Sequence, residues 1–212
     1  MSMPLFHGGM AEAPTWCELT DFAIVTLAAG EGRTFARRAA RERLLIADGR
    51  CRVAFDHEEH EAAAGDKYLI PDDVAAYTVT AVAEPATLIP LGGTWGDETG
   101  DWGLFAVDEE DVPERGDPTD YPKRTRIDNH YHDCDEYYLI LSGAGTVVSE
   151  GRHYQVGPGD CVATGMGHHH DFPLVTAPVR AAFFETTLGG ERRRGHLWNH
   201  THGPARPQPE RV

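Results

Sequence analysis

Asn129-His130-Tyr131-His132-Asp133-Cys134-Asp135-Glu136-Tyr137-Tyr138-Leu139-Ile140-Leu141-Ser142-Gly143 is the stretch around which the chain is organised. His130 and His132 are two residues apart, so on a strand of period two both imidazoles leave from the same face, and Glu136 follows at the same parity. Two imidazoles and a carboxylate form a borderline ligand set that suits Fe(II), Mn(II), Ni(II) or Zn(II) and leaves coordination positions for water or substrate. By the same parity Cys134, Tyr138 and Ile140 are candidates to line the space beside it.

Outward from that stretch the pattern is β throughout. Downstream, short apolar runs predict strands at Glu136–Leu141, Gly145–Ser149, His153–Val156, Asp160–Ala163, Asp171–Val175 and Val179–Thr187, with Gly143, Gly151, Gly157, Pro158 and Gly159 among the breaks. Arg126–His132 reads as the strand that carries the two histidines. Upstream, Phe22–Leu27, Arg43–Ala47, Cys51–Phe55, Lys67–Ile70, Tyr77–Val82 and Ala86–Leu91 read the same way. Arg33–Arg43 is compatible with a short basic helix, but it runs without a clear C-cap into an apolar strand-like segment. Between the halves, Gly92–Tyr121 is glycine-rich and then acidic, with an apolar patch at Leu104–Val107 that suggests part of it packs as a strand. The tail from Gly203, with three prolines, reads as poorly ordered.

At 212 residues the chain can bury one large core or two small ones. A formal net charge of −15 argues against a nucleic-acid partner, because affinity for phosphate backbones comes from clustered Lys and Arg. Residues 1–14 lack a basic segment followed by an apolar run, and no stretch approaches the roughly 18 apolar residues of a membrane span. The expectation is a cytoplasmic protein with no membrane partner. Cys17, Cys51, Cys134 and Cys161 form no C-x-x-C pair and read as free thiols, with Cys134 a small buried residue rather than a nucleophile.

The second half resembles the cupin family over roughly Arg126–Thr187. That family's first motif runs Gly, five residues, H-x-H, three or four residues, Glu, six residues, Gly. His130, His132, Glu136 and Gly143 match it, while Arg124 stands where the leading glycine would be. The second motif runs Gly, five residues, P-x-G, two residues, His, three residues, Asn. Gly159, Gly167 and His170 match, with Gly165 in place of the proline and Leu174 in place of the asparagine. Spacing favours His170 as the fourth ligand; strand alternation would put His168 on the same side and His169 on the other. The first half carries a weaker echo, with Glu42, Gly49, Gly65 and Pro71 kept but Ala36, Arg38 and Ala76 at the histidine positions.

The resemblance therefore implies an all-β double-stranded β-helix (jelly roll) bicupin: a degenerate barrel over residues 1–98, a linker with a partial strand over 99–122, and a metal-binding barrel over 123–212. It implies one divalent transition metal per chain, Fe(II) foremost with Mn, Ni or Zn as alternatives, held by His130, His132, Glu136 and His170. The expected activity is that of a metal-dependent enzyme on a small polar or anionic metabolite, through O₂-dependent oxidation or Lewis-acid isomerisation. A non-catalytic small-ligand or regulatory module is the alternative. Tyr138 is a candidate acid or hydrogen-bond donor, and Arg126 a candidate clamp for a carboxylate or phosphate. His196, His200 and His202 could cap the barrel mouth or add a second metal, and Leu197 with Trp198 could form a lid or dimer contact. A homodimer is expected because sheet edges tend to be paired, with Trp16, Trp95, Trp102 and Trp198 as contact candidates.

Overall fold

The structure, a computed structural model, describes residues 3–109 and 116–212. The chain divides into two units: residues 3–8, 12–18 and 96–212 form the C-terminal unit, and residues 9–11 and 19–95 form the first-half unit. In chain order β1 (Leu5–His7) belongs to the C-terminal unit. The first-half unit contains β2 (Leu19–Phe22), β3 (Val25–Leu27), β4 (Gly32–Ala36), β5 (Arg41–Asp48), β6 (Arg50–Phe55), β7 (Glu58–Ala63), β8 (Lys67–Ile70), β9 (Ala76–Ala81) and β10 (Ala86–Gly93). The C-terminal unit resumes with β11 (Trp102–Val107), β12 (Glu136–Ser149), β13 (Arg152–Val156), β14 (Asp160–Thr164), β15 (His170–Glu185) and the single-turn helix α1 (Asn199–His202). The fold is all-β, as the alternation predicts.

This division differs from the one expected. Residues 3–8 do not stay with the first half, because β1 pairs β14 in register Leu5 to Val162. The partial strand expected within residues 99–122 is β11, and because it pairs β15 from Trp102–Phe184 to Val107–Val179 it belongs to the C-terminal unit rather than to a linker. Residues 110–115 of the acidic run lie outside the described residues.

The first-half unit has two antiparallel sheets, ordered β2-β10-β5-β8 with β3 also on β10, and β4-β9-β6-β7. Arg33–Arg43 is strand and turn, not helix. Leu44, Ile46, Val53, Val79 and Leu88 meet in its core, and all are fully buried. At roughly 1.5–3 kcal/mol for each large aliphatic side chain removed from water, such a cluster outweighs any local helix preference of the basic segment. Glu42, where the echo of the first motif places the carboxylate, is buried and accepts the backbone N–H groups of Arg38 (2.5 Å) and Ala39 (3.3 Å).

In the C-terminal unit the sheet order is β1-β14-β12-β15-β11, with β13 also on β12. β12 and β15 are each one long strand where the sequence suggested two. The ladder between them continues across Gly143 through register shifts around Ser142 and Ala144. Gly143 is required there: its φ is 82°, and an added Cβ would lie 2.0 Å from the Pro178 carbonyl oxygen. The bulged strand serves two partners, pairing β14 over Glu136–Leu139 and β13 over Gly145–Ser149. Tyr138, Ile140, Val147, Phe172 and Ala181 fill the core below the histidine stretch.

Candidate metal centre

His130, His132, Glu136 and His170 are brought together by this topology, each at most 4 % exposed. Glu136 is the first residue of β12, and His170 the first of β15. His130 pairs with His170 through reciprocal backbone hydrogen bonds, and Tyr131 with Leu197 in the same way, so the H-x-H segment is extended though not part of a long strand. Both imidazoles therefore leave on one side, as period two requires.

The ring nitrogens sort themselves. His130 Nδ1 donates to the Asp128 carbonyl (2.7 Å), His132 Nδ1 to that of Gly195 (3.0 Å) and His170 Nδ1 to that of His168 (3.2 Å). A carbonyl only accepts, so each Nδ1 carries hydrogen and each Nε2 is the free ligand atom. These three Nε2 atoms converge on Glu136. Its Oε2 lies 2.6 Å from His170 Nε2 and 3.2 Å from His132 Nε2, while the Nε2 atoms of His130 and His132 face each other at 3.0 Å. Buried acceptors packed this closely fit a divalent cation at their centre, and the donor set of three nitrogens and one oxygen suits a first-row transition metal. Burial and the neighbouring imidazoles hold His130 well below the usual histidine range. Burial opposes charge on His132 too, but the adjacent Glu136 overcomes it and lifts His132 to about 9, so beside Glu136 its Nε2 carries a proton that a bound divalent ion would displace. Burial alone would raise Glu136, yet His132 and His170 hold it well below the carboxylate range.

The histidine run resolves by backbone conformation. Met166 and Gly167 form a turn and β15 starts only at His170, so strict alternation does not reach back to His168. His168 Nε2 instead donates to the Gln208 carbonyl (3.0 Å), and the His169 ring packs on Tyr131 at 5.2 Å.

A cavity of about 220 Å³ adjoins the cluster. Phe105, Ile127, Tyr138 and Phe183 form its apolar walls, and Glu136, Glu185 and His196 its polar ones. Burial and then the charge of Glu136 raise Tyr138 well above the usual phenol value, so it keeps its proton. Arg126 is not among the residues that line the cavity: Ile127 lines it, while Arg126 stands at a bend and is exposed. Cys134 is buried, and burial keeps its thiol protonated, which removes it as a nucleophile.

Residues from the C-terminal segment complete the surroundings. His196 stacks on His130 at 3.7 Å and 4°, and its Nδ1 donates to Asp128 Oδ1 at 2.8 Å. Arg193 grips Asp133 through Nε (3.0 Å) and Nη2 (3.2 Å). The tail is not loose. Tyr131 donates its hydroxyl hydrogen to the Gly203 carbonyl (2.8 Å), Gln208 donates its N–H to the Met166 carbonyl (3.2 Å), and Arg211 pairs with buried Asp135. Prolines that end periodicity do not prevent a segment from docking through backbone groups on side-chain-free Gly165 and Gly167. Leu197 is 1 % exposed and Trp198 half-buried, its Nε1 bonded to Asp128 Oδ2 at 2.5 Å, so both serve this docking. Trp16 is likewise half-buried, and Trp95 and Trp102 are buried. Glu185, Arg193 and Asp128 have no motif to announce them.

Such an all-β protein, with imidazoles and carboxylates gathered beside a small cavity, belongs to the class of barrels able to hold a divalent metal. A family model described as "Cupin domain" matches residues 119–184. Uncharacterized protein y4oW of Sinorhizobium fredii (strain NBRC 101917 / NGR234) is 46% identical over 212 residues, covering 99% of this chain and 97% of that protein. The chain belongs to the cupin superfamily. AerE from Microcystis aeruginosa is similar in structure, with a TM-score of 0.57 at 9% identity over 78% of this chain and 87% of that one. The oxalate decarboxylase of Bacillus subtilis, which has Mn(II) centres, gives 0.57 at 11% identity over 87% and 72%. At these identities the likeness concerns the fold. Among the described residues every candidate metal cluster falls in the C-terminal unit, and no helix is long and apolar enough to cross a membrane.

Proposed function

We propose that the chain is a metal-dependent cupin enzyme that binds one divalent transition metal, Fe(II) by preference, through His130, His132, Glu136 and His170, and acts on a small metabolite in the adjoining cavity. The observation that carries this is the convergence of three Nε2 atoms, each with its Nδ1 tied to a backbone carbonyl, on one buried carboxylate. When bound, the ion supplies Lewis acidity toward a carbonyl or enediolate oxygen or, as iron, a binding place for O₂. Tyr138 holds its proton beside Glu136 and offers a hydrogen bond there. His196, oriented by Asp128, forms the polar wall nearest solvent. Phe105 and Phe183 give the reacting side an apolar wall. These aromatic walls favour O₂-dependent oxidation over isomerisation of a heavily hydroxylated substrate, which would need more polar partners. The first-half unit, in this scheme, is a second cupin barrel that has lost its metal.

Metal analysis of the purified protein, combined with oxygen uptake over a panel of small organic substrates, tests this. Iron with O₂ consumption supports it. Manganese, nickel or zinc with O₂-independent turnover moves the reaction to isomerisation or lysis, and a protein that retains no metal from any of these salts defeats it.

A further inference from the structure

We propose, resting on the metal-dependent function above, that the cavity takes a small uncharged substrate with an apolar body and a hydroxyl group, and that Glu185 is the residue that selects it. Glu185 stands directly opposite Glu136 in the register of β15 and β12, and each is 4 % exposed. Two like charges at directly paired positions work against a sheet, so packing alone does not account for a carboxylate there. The position is nonetheless built. Glu185 Oε2 accepts the Asp101 backbone N–H at 2.7 Å, and Gly100 leaves it room, since an added Cβ would fall 1.8 Å from that oxygen.

The other oxygen, Oε1, has no hydrogen-bond donor among the described residues. His132 Nδ1 lies 3.8 Å from it, and that hydrogen already goes to the Gly195 carbonyl. An acceptor left over in a cavity with aromatic walls is suited to a ligand hydroxyl. Charge points the same way. Neither Lys nor Arg lines the cavity, and His196, its one basic side chain, is paired with Asp128. A divalent ion would bring two positive charges against the two carboxylates, so an anionic ligand gains no net attraction from the site. A volume of about 220 Å³ equals roughly seven waters at about 30 Å³ each, enough for a single ring. The anionic metabolite suggested by a guanidinium clamp at Arg126 loses its clamp, because Arg126 is exposed and outside the cavity.

Phenol and benzoate, alike in ring and unlike in charge, are suitable probes. Their binding to the protein as purified is measured by titration calorimetry for wild type, Glu185→Gln and Glu185→Asp, with metal content and melting temperature recorded for each. Wild type should prefer phenol by on the order of tenfold or more, and Glu185→Gln should narrow or reverse that preference while keeping its metal. Glu185→Asp, which keeps the charge but withdraws the oxygen, should still reject benzoate and lose phenol affinity. Equal binding of both probes by wild type, no binding of phenol, or an unchanged ratio in Glu185→Gln would overturn the assignment. Metal content reports separately on the function above: a wild type that retains no iron, manganese, nickel or zinc after loading and still prefers phenol through Glu185 defeats that function and leaves the selectivity standing.

Discussion

Replacing Arg193 with alanine should weaken metal binding although Arg193 touches no proposed ligand. Its side chain makes two charge-assisted bonds to Asp133 and a third, from Nη1, to the His202 carbonyl at 2.8 Å; its own backbone N–H also reaches Asp133 Oδ2 at 2.9 Å. Burial would raise Asp133, but these bonds outweigh it and hold the carboxyl below its usual range. The alanine variant leaves a 7 % exposed carboxylate with only backbone partners from this segment. Charge-assisted bonds are worth roughly 1.5–3 kcal/mol each, and the Arg193 side chain keeps 25 % of its surface in water, so the lower part of that range applies. A loss of about 2–3 kcal/mol of stability follows. The same segment carries the Gly195 carbonyl that orients His132 and the His196 ring stacked on His130. Loosening such an orienting group typically costs metal affinity about 10- to 100-fold, or roughly 1.4–2.8 kcal/mol. Competition with a chromophoric chelator measures the affinity and thermal denaturation the stability. Arg193→Lys should fall between, because an ammonium cannot reproduce the fork. Arg192→Ala, at an exposed pair with Glu98, should change neither. If Arg193→Ala lowered the melting temperature but left metal affinity within roughly threefold of wild type, where the expected loss starts near tenfold, the segment would be holding the fold without tuning the site.

His170→Ala should abolish most metal uptake, while His169→Ala and His168→Ala should retain it, the latter loosening the tail at Gln208; metal-to-protein ratios after loading and desalting decide this, and one ion per chain is expected for wild type. Asp117 is held below the carboxylate range because the backbone N–H of Asn199 and the His200 ring outweigh the effect of burial. A depressed folded-state value means the contribution is present above the unfolded value near pH 4 and lost as pH falls through the folded one. Asp117→Asn should therefore be less stable at neutral pH by about 1 kcal/mol and indistinguishable from wild type in acid, as pH-dependent urea titrations would show. Gly143→Ala should destabilise by more than about 1 kcal/mol, since alanine must adopt φ near 82° and meet the Pro178 carbonyl; a neutral result in the same titrations would mean that the bulge relaxes freely.

Local pattern was sufficient for what depends on neighbours in the chain. Alternation marked Lys67–Ile70 and most other strands, and H-x-H followed by Glu136 placed three inward groups without any knowledge of pairing. It missed β7, whose Glu58–Ala63 segment is too polar to show a buried face, because an edge strand is held by backbone bonds rather than by burial. It also divided β12 and β15 at glycine and proline, since a bulge and a turn use the same residues and only a continuing partner strand tells them apart.

What the sequence by itself determined is thus the β class, the identity of the H-x-H and Glu segment, and the preference for His170 by spacing. Tertiary structure alone decided the rest. It left Arg126 exposed outside the cavity lining, set Glu185 opposite Glu136, folded the tail back over Gly165 and Gly167, and brought the Gly195 carbonyl to His132 across 63 residues. The physical reason is range: side-chain parity is a property of one strand, whereas an orienting carbonyl or a facing carboxylate is supplied by another part of the chain, and its place is known only when the strands have paired.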